Sequence, residues 1–103
     1  MNLELYRAFF YTVKYGNISK ASEQLYITQP AVSRAIQQLE DSLHCTLFFR
    51  TSKGVKLTPE GEILYKYIEQ AFNFIAAGES RIKDINNLLE GEVRIGVSDT
   101  ICK

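Results

Sequence analysis

Apolar side chains recur along the first half of the chain at helical spacing, interrupted by short polar stops. Tyr6, Phe9, Phe10 and Val13 fall on one stripe and predict a helix over 3–15. Gly16 is its expected stop, because glycine accepts a left-handed backbone at little cost. Asn17 and Ile18 then lead to Ser19, the expected N-cap of a short helix over about 20–26 with Ala21 and Leu25 facing inward. Tyr26-Ile27-Thr28 breaks the pattern again. Thr28 suits an N-cap, and Pro30 falls in the first turn of the next helix, where a missing N–H costs nothing. Val32, Ile36, Leu39 and Leu43 step by four, three and four, so this third helix buries one face and ends near Leu43. Gln29, Ser33, Arg34, Gln37 and Gln38 are left outside.

The pattern then changes period. Leu47-Phe48-Phe49-Arg50 and Val55-Lys56-Leu57 are β-prone runs around Thr51-Ser52-Lys53-Gly54, which predicts a hairpin with glycine in its turn. Thr58 as N-cap and Pro59 at the first helical position open a long helix. In it Leu64, Ile68, Ala71, Ile75, Gly78, Ile82, Ile85 and Leu89 step by 4, 3, 4, 3, 4, 3 and 4. A sustained seven-residue repeat is the mark of a helix that pairs with another helix. Glu90-Gly91 is the expected end, and the alternation over Glu92-Val93-Arg94-Ile95-Gly96-Val97 predicts a strand. A lone strand is unstable in water, so residues 91–103 read as the start of a further domain that the chain does not complete.

Composition narrows the classes. At 103 residues, with 46% apolar and 23% charged side chains, the chain suits one folded domain of ordinary size rather than a disordered segment. Twelve Lys and Arg balance twelve Asp and Glu overall. Residues 1–60 carry seven cations against five anions, and residues 61–103 the reverse, so a small positive excess lies on the half that holds the short helices and the hairpin. Cys45 and Cys102 stand far apart with no Cys-x-x-Cys spacing, which suits free thiols in a reducing compartment and predicts no metal site. His44 is the one histidine and has no evident acid partner, and no glycine-rich phosphate loop is present, so neither an enzyme nor a cofactor is expected. The N-terminus lacks a basic start followed by an apolar stretch, and no apolar run has the ~18 residues of a membrane span. A soluble, cytoplasmic protein is expected.

The second and third helices, separated by a turn of a few residues, fit a helix-turn-helix. Solvated helix faces are usually rich in Glu and Lys, whereas this one is mostly Gln, Ser and Arg. Those side chains match base edges: Gln pairs with adenine, Arg with guanine, and Ser with either donors or acceptors. Glu40 and Asp41 fall only toward the far end of the helix. Pro30, beside Gln29 at the leading end, either preorganises the first turn or also packs on a thymine methyl. Thr28 caps the helix, touches a phosphate, or does both. In the hairpin, Lys53 lies between Ser52 and Gly54, with Arg50 and Lys56 on the arms, which suits a wing on phosphates or the minor groove.

The blocks Asn17-Ile18-Ser19-Lys20-Ala21-Ser22-Glu23-Gln24-Leu25 and Thr28-Gln29-Pro30-Ala31-Val32-Ser33-Arg34-Ala35-Ile36-Gln37-Gln38-Leu39-Glu40 resemble the N-terminal signature of the LysR-type transcriptional regulators. Leu47-Phe48-Phe49-Arg50, Leu57-Thr58-Pro59-Glu60-Gly61 and Gly91-Glu92-Val93-Arg94-Ile95-Gly96 match later pieces of that family in order. The resemblance implies a mainly α fold: a winged helix-turn-helix over 1–58, with its helix-turn-helix at about 18–37, then a long dimerisation linker helix over 59–90. Residues 91–103 would be the first strand of a two-lobed effector-binding domain, with Ser98, Asp99 and Thr100 at the start of its small-molecule pocket. The function implied is sequence-specific binding of double-stranded DNA, at an interrupted palindrome, by a homodimer that is commonly a tetramer at full length.

Carried over by position, Gln29, Pro30, Ser33 and Arg34 would face bases, and Thr28, Gln37, Arg50 and Lys53 the DNA backbone. Leu64, Ile68, Ala71, Ile75, Ile82, Ile85 and Leu89 would form the dimer seam. Two positions depart from the family: His44 stands where glycine is common, and Gly78 lies inside the seam. A rival reading is a helical dimerisation adapter that binds protein, although the Gln/Ser/Arg face lacks the apolar anchors of a protein hot spot. A molybdate-responsive type of winged-helix regulator would share the DNA function with a different C-terminal domain.

Overall fold

The computed structural model describes residues 2–93 and orders them as α1 (Leu3–Tyr15), α2 (Ile18–Leu25), α3 (Gln29–Leu43), β1 (Phe48–Thr51), β2 (Gly54–Leu57) and α4 (Pro59–Val93). Side-chain caps set most of the helix starts. Asn2 Oδ1 accepts from the Glu4 N–H at 2.9 Å, and Thr28 Oγ1 accepts from the Ala31 N–H at 3.2 Å. The second helix begins earlier than its sequence suggests. Asn17, not Ser19, is its cap, accepting from the Lys20 N–H at 2.7 Å, and Ser19 lies inside the first turn. The cause is Gly16, whose left-handed backbone (φ 84°) ends α1 and delivers the chain directly to Asn17. Two larger residues take the left-handed conformation as well: Tyr26 (φ 59°) closes α2 and His44 (φ 58°) closes α3. His44 thus occupies the conformation for which glycine is the usual choice.

α1, α2 and α3 pack against one another around Phe9, Val32, Ile36, Leu39 and Leu47, all buried. Full burial of a Phe, Leu or Val side chain is worth about 1.5–3 kcal/mol each, so these few positions carry the three-helix core. The Phe9 ring lies nearly parallel to that of Phe48, 6.3 Å away, and ties the hairpin to the helices. Thr12 is buried too, and its hydroxyl donates to the Ala8 carbonyl at 2.8 Å. At the end of the α3 stripe Leu43 stays exposed.

The hairpin pairs Phe48 with Leu57, Phe49 with Lys56, Arg50 with Val55 and Thr51 with Gly54, antiparallel. Gly54 has φ 127° and lies so close to the Gly16 carbonyl that a Cβ there would overlap it. The base of the hairpin is held from both sides. Glu40 on α3 accepts from the Leu47 N–H at 2.7 Å. Thr58 donates its N–H to the Leu47 carbonyl at 3.0 Å, directs its hydroxyl at the Thr46 carbonyl (2.7 Å), and accepts from the Gly61 N–H at 3.0 Å. That last bond makes Thr58 the N-cap of α4. Gly61 rests directly on the Leu47 carbonyl, with no room for a side chain.

The chain divides after Glu69 into two units. In the first, α4 meets α1 through Phe10 and Tyr65, whose rings stack at 4.9 Å, and Ile68 is buried. The second unit, as far as it is described, is the remainder of α4, exposed at nearly every position from Gln70 to Leu88. The helix continues to Val93, past the stop expected at Glu90-Gly91, so Glu92 and Val93 are helical rather than strand. A glycine inside a helix costs only about 1 kcal/mol relative to alanine, and Leu and Glu on either side are strong helix formers. The rest of the expected strand, 94–97, and Ser98, Asp99, Thr100 and Cys102 lie outside the described residues. So does the side chain of Leu89.

Candidate nucleic-acid interface

The leading half of α3 stands clear of the core. Thr28, Gln29, Pro30, Arg34, Gln37 and Gln38 are exposed and Ser33 is half-buried. Because Val32, Ile36 and Leu39 are drawn inward, the 3.6-residue period turns Gln29 outward on the first turn and Ser33 and Arg34 on the next. The helix N-terminus lies at this end, and its unpaired N–H groups carry a partial positive charge.

The expected contact residues are in different states of engagement. Arg34 makes no hydrogen bond or ion pair among the described residues. Gln29 is nearly free, with one long bond of 3.4 Å from its amide to Ser19 Oγ. Gln37 donates to Asp41 Oδ1 at 3.1 Å, so its amide is already partnered on its own helix. Arg50 reaches back from β1 and donates from Nη2 to Ser33 Oγ at 2.9 Å. Lys53 stands at the turn of the hairpin, which Thr51 braces by accepting from the Lys53 N–H and donating to the Gly54 carbonyl, both at 3.2 Å. The Lys53 ammonium is exposed and unpaired among the described residues.

The charges leave cations available on this side. Among the described residues the one ion pair is Arg7 with Glu4, at 3.6 Å. Lys20, Arg34, Arg50, Lys53 and Lys56 therefore meet no carboxylate among the described residues. The two acids of α3 are occupied elsewhere, Glu40 on the Leu47 N–H and Asp41 on Gln37. Between the start of α2 and the hairpin runs a shallow groove lined by Asn17, Ile18, Arg50, Thr51, Gly54 and Val55. The cap at Asn17 and the Arg50–Ser33 bond escaped sequence reading. The first was signalled by the Gly-Asn pair, whereas the second joins residues 17 apart and has no local signal.

Elsewhere the described residues hold no group of three His, Cys, Asp or Glu side chains placed to bind a metal. Cys45 is a half-buried free thiol. No described helix is long and apolar enough to cross a membrane. Of the expected seam, Ile68 is buried within the first unit and Leu64 half-buried, so Ile68 contributes to its own chain's core. In the second unit Ala71, Ile75, Ile82 and Ile85 are exposed, joined by Phe74 and Leu88, which the seven-residue repeat did not include.

Comparison with known proteins places this geometry. Residues 3–62 match the model of the bacterial regulatory helix-turn-helix proteins of the lysR family. The transcriptional regulator GltR of Bacillus subtilis is 38% identical over 100 residues, covering 97% of this chain and 33% of that protein. The chain thus spans about a third of the length of the curated relatives it matches. Among solved structures, a BenM_DBD/benA site 1 DNA complex superposes with a TM-score of 0.73 at 38% identity, over 82% of this chain and 99% of that one. DarR of Vibrio fischeri in complex with DNA superposes at 0.69 with 36% identity, over 85% of this chain and 30% of that one.

Proposed function

The chain belongs to the lysR family of bacterial regulatory helix-turn-helix proteins, and on that premise we propose that it binds double-stranded DNA by sequence to regulate transcription, without catalysing a reaction. The observation that carries this reading is the outward edge of α3, where, among the described residues, Arg34 has no partner and Gln29 is all but free, next to a hairpin whose Lys53 is also unpaired there. An α-helix fits the major groove, where Arg reads guanine and Gln reads adenine in bidentate fashion. Lys53 and the helix N-terminus would bear on phosphates, fixing register without reading sequence. The likeness to DNA-bound structures at 36–38% identity supports this placement.

The protein acts as a homodimer joined through α4. Ile75, Ile82 and Ile85 keep 54–60% of their surface exposed, and an apolar stripe of that kind calls for a covering partner. Two copies would present two α3 helices to successive major grooves on one face of the duplex. Residues 91–103 lead into an effector-binding domain, through which a small molecule acts and a tetramer forms at full length. The site of action is the cytoplasm, where the operator lies.

Selection of bound duplexes from a random pool tests the proposal. The expected yield is an inverted pair of short half-sites with an unspecified spacer. Recovery of unrelated sequences in the proportions of the starting pool would refute it.

A further inference from the structure

We propose that Arg50 sets the hydrogen-bonding polarity of Ser33, presents it as a donor, and thereby decides which base edge it pairs with. The inference rests on the DNA-binding reading above.

A serine hydroxyl has one proton and two lone pairs, so alone it suits donors and acceptors on bases equally. A guanidinium only donates. Arg50 Nη2 lies 2.9 Å from Ser33 Oγ and engages one of its lone pairs. The hydroxyl proton cannot point back at that donor. It is not committed to the helix either. Ser22 and Ser42 direct their hydroxyl protons at the Ser19 and Leu39 carbonyls, at 2.7 and 2.9 Å, whereas Ser33 makes no such bond among the described residues. Its proton is therefore left to point outward, and Ser33 is presented as a donor.

Arg50 is free to hold this arrangement, because no carboxylate among the described residues draws its guanidinium away. In the major groove, guanine O6 and N7, adenine N7 and thymine O4 accept, while cytosine offers only its amino donor. With its proton directed outward and one lone pair taken by Arg50, Ser33 favours these acceptors over cytosine, against which only its second lone pair could act. The remaining Arg50 N–H groups stay available to a phosphate, so one side chain of the hairpin arm links backbone contact to base choice.

Duplex selection from a random pool, run on the full chain and on the S33A, R50M and R50K variants, tests this. Thermal melts of each variant check that the fold is retained. For the unsubstituted protein, one position in each half-site is expected to be depleted in cytosine. S33A lowers that discrimination by about three- to tenfold, the range of one hydrogen bond. R50M, which keeps the stem without a donor, produces the same change at the same position, and S33A combined with R50M adds nothing further there. R50K keeps a donor-only group and restores the depletion. An R50M protein that binds all duplexes more weakly with an unchanged base profile would overturn the proposal and leave Arg50 a phosphate contact. So would an S33A change at a position that R50M leaves intact. If the unsubstituted protein enriches no sequence, the DNA-binding reading itself falls, and this proposal with it.

Discussion

Gly61→Ala sets two effects of known size against each other. Gly61 lies inside α4, and replacing an interior helical glycine by alanine ordinarily stabilises by about 1 kcal/mol. Here the added Cβ would overlap the Leu47 carbonyl oxygen, lie 3.0 Å from the carbonyl carbon, and lie 2.9 Å from Leu57 Cδ2. The obstruction is backbone, held by the Thr58 N–H at 3.0 Å, so it cannot swing aside as a flexible side chain would. Relief requires the start of α4 to part from the base of the hairpin. That breaks the Thr58 bonds to Leu47 and Thr46, at a net loss of about 0.5–1.5 kcal/mol each, and strands a buried carbonyl at about 1–3 kcal/mol. Set against the helix gain, the balance is a loss of about 1–5 kcal/mol. Gly16→Ala is a useful contrast, because that position has φ 84° but open space around it. Only the left-handed penalty of about 1–2 kcal/mol applies there. Urea unfolding followed by circular dichroism reads both. A Gly61→Ala midpoint equal to or above that of the parent would refute the argument from contact, and a Gly16→Ala loss larger than that of Gly61→Ala would reverse its order.

Three further outcomes follow from the same geometry. Arg34→Ala should lose about 1–3 kcal/mol on the selected duplex and relax preference at one base pair, measured by competition binding; equal losses on all duplexes would contradict a base contact. Lys53→Ala should weaken binding across sequences and lower the salt slope by about 1, read from titrations at several salt concentrations; an unchanged slope would remove the wing contact. Tyr65 titrates above its ordinary 10.0, chiefly because burial disfavours the phenolate and additionally because Glu69 repels it. The folded state therefore holds the phenol proton more tightly than the unfolded chain. Its contribution to stability is complete below pH 10 and is lost as pH rises through the folded value, and Tyr65→Phe should remove that alkaline loss from a series of melts.

Local chemistry made much of the fold legible. Thr28 before Gln29-Pro30, Thr58 before Pro59, and Gly16 after Tyr15 each satisfy or end a helix within a few residues, and such signals survive whatever the tertiary packing. The turn of the hairpin was equally local. What escaped depends on distance or on partners. Asn17 outcompetes Ser19 as a cap because Gly16 fixes where the chain turns, and two neighbouring cap-forming residues do not announce which will win. The Arg50–Ser33 bond requires the hairpin to fold back on α3. The seven-residue repeat of α4 marked an apolar stripe that was expected to be a seam between copies, and Ile68 on it is buried within its own chain; a repeat cannot say whether the covering surface belongs to the same chain or to another. At the far end, alternation over six residues suggested a strand, while helix propagation from the preceding turns of α4 carried through Gly91 to Val93.

The outward edge of α3 is where the function stands or falls. Its most direct test is the affinity of the purified protein for its selected duplex and for a scrambled duplex of equal length, compared at physiological ionic strength. The expected result is a preference that persists as salt is raised while both affinities fall, because phosphate contacts weaken with salt and base contacts do not. Equal affinity for the two duplexes would contradict a sequence-reading role for Gln29, Pro30, Ser33 and Arg34.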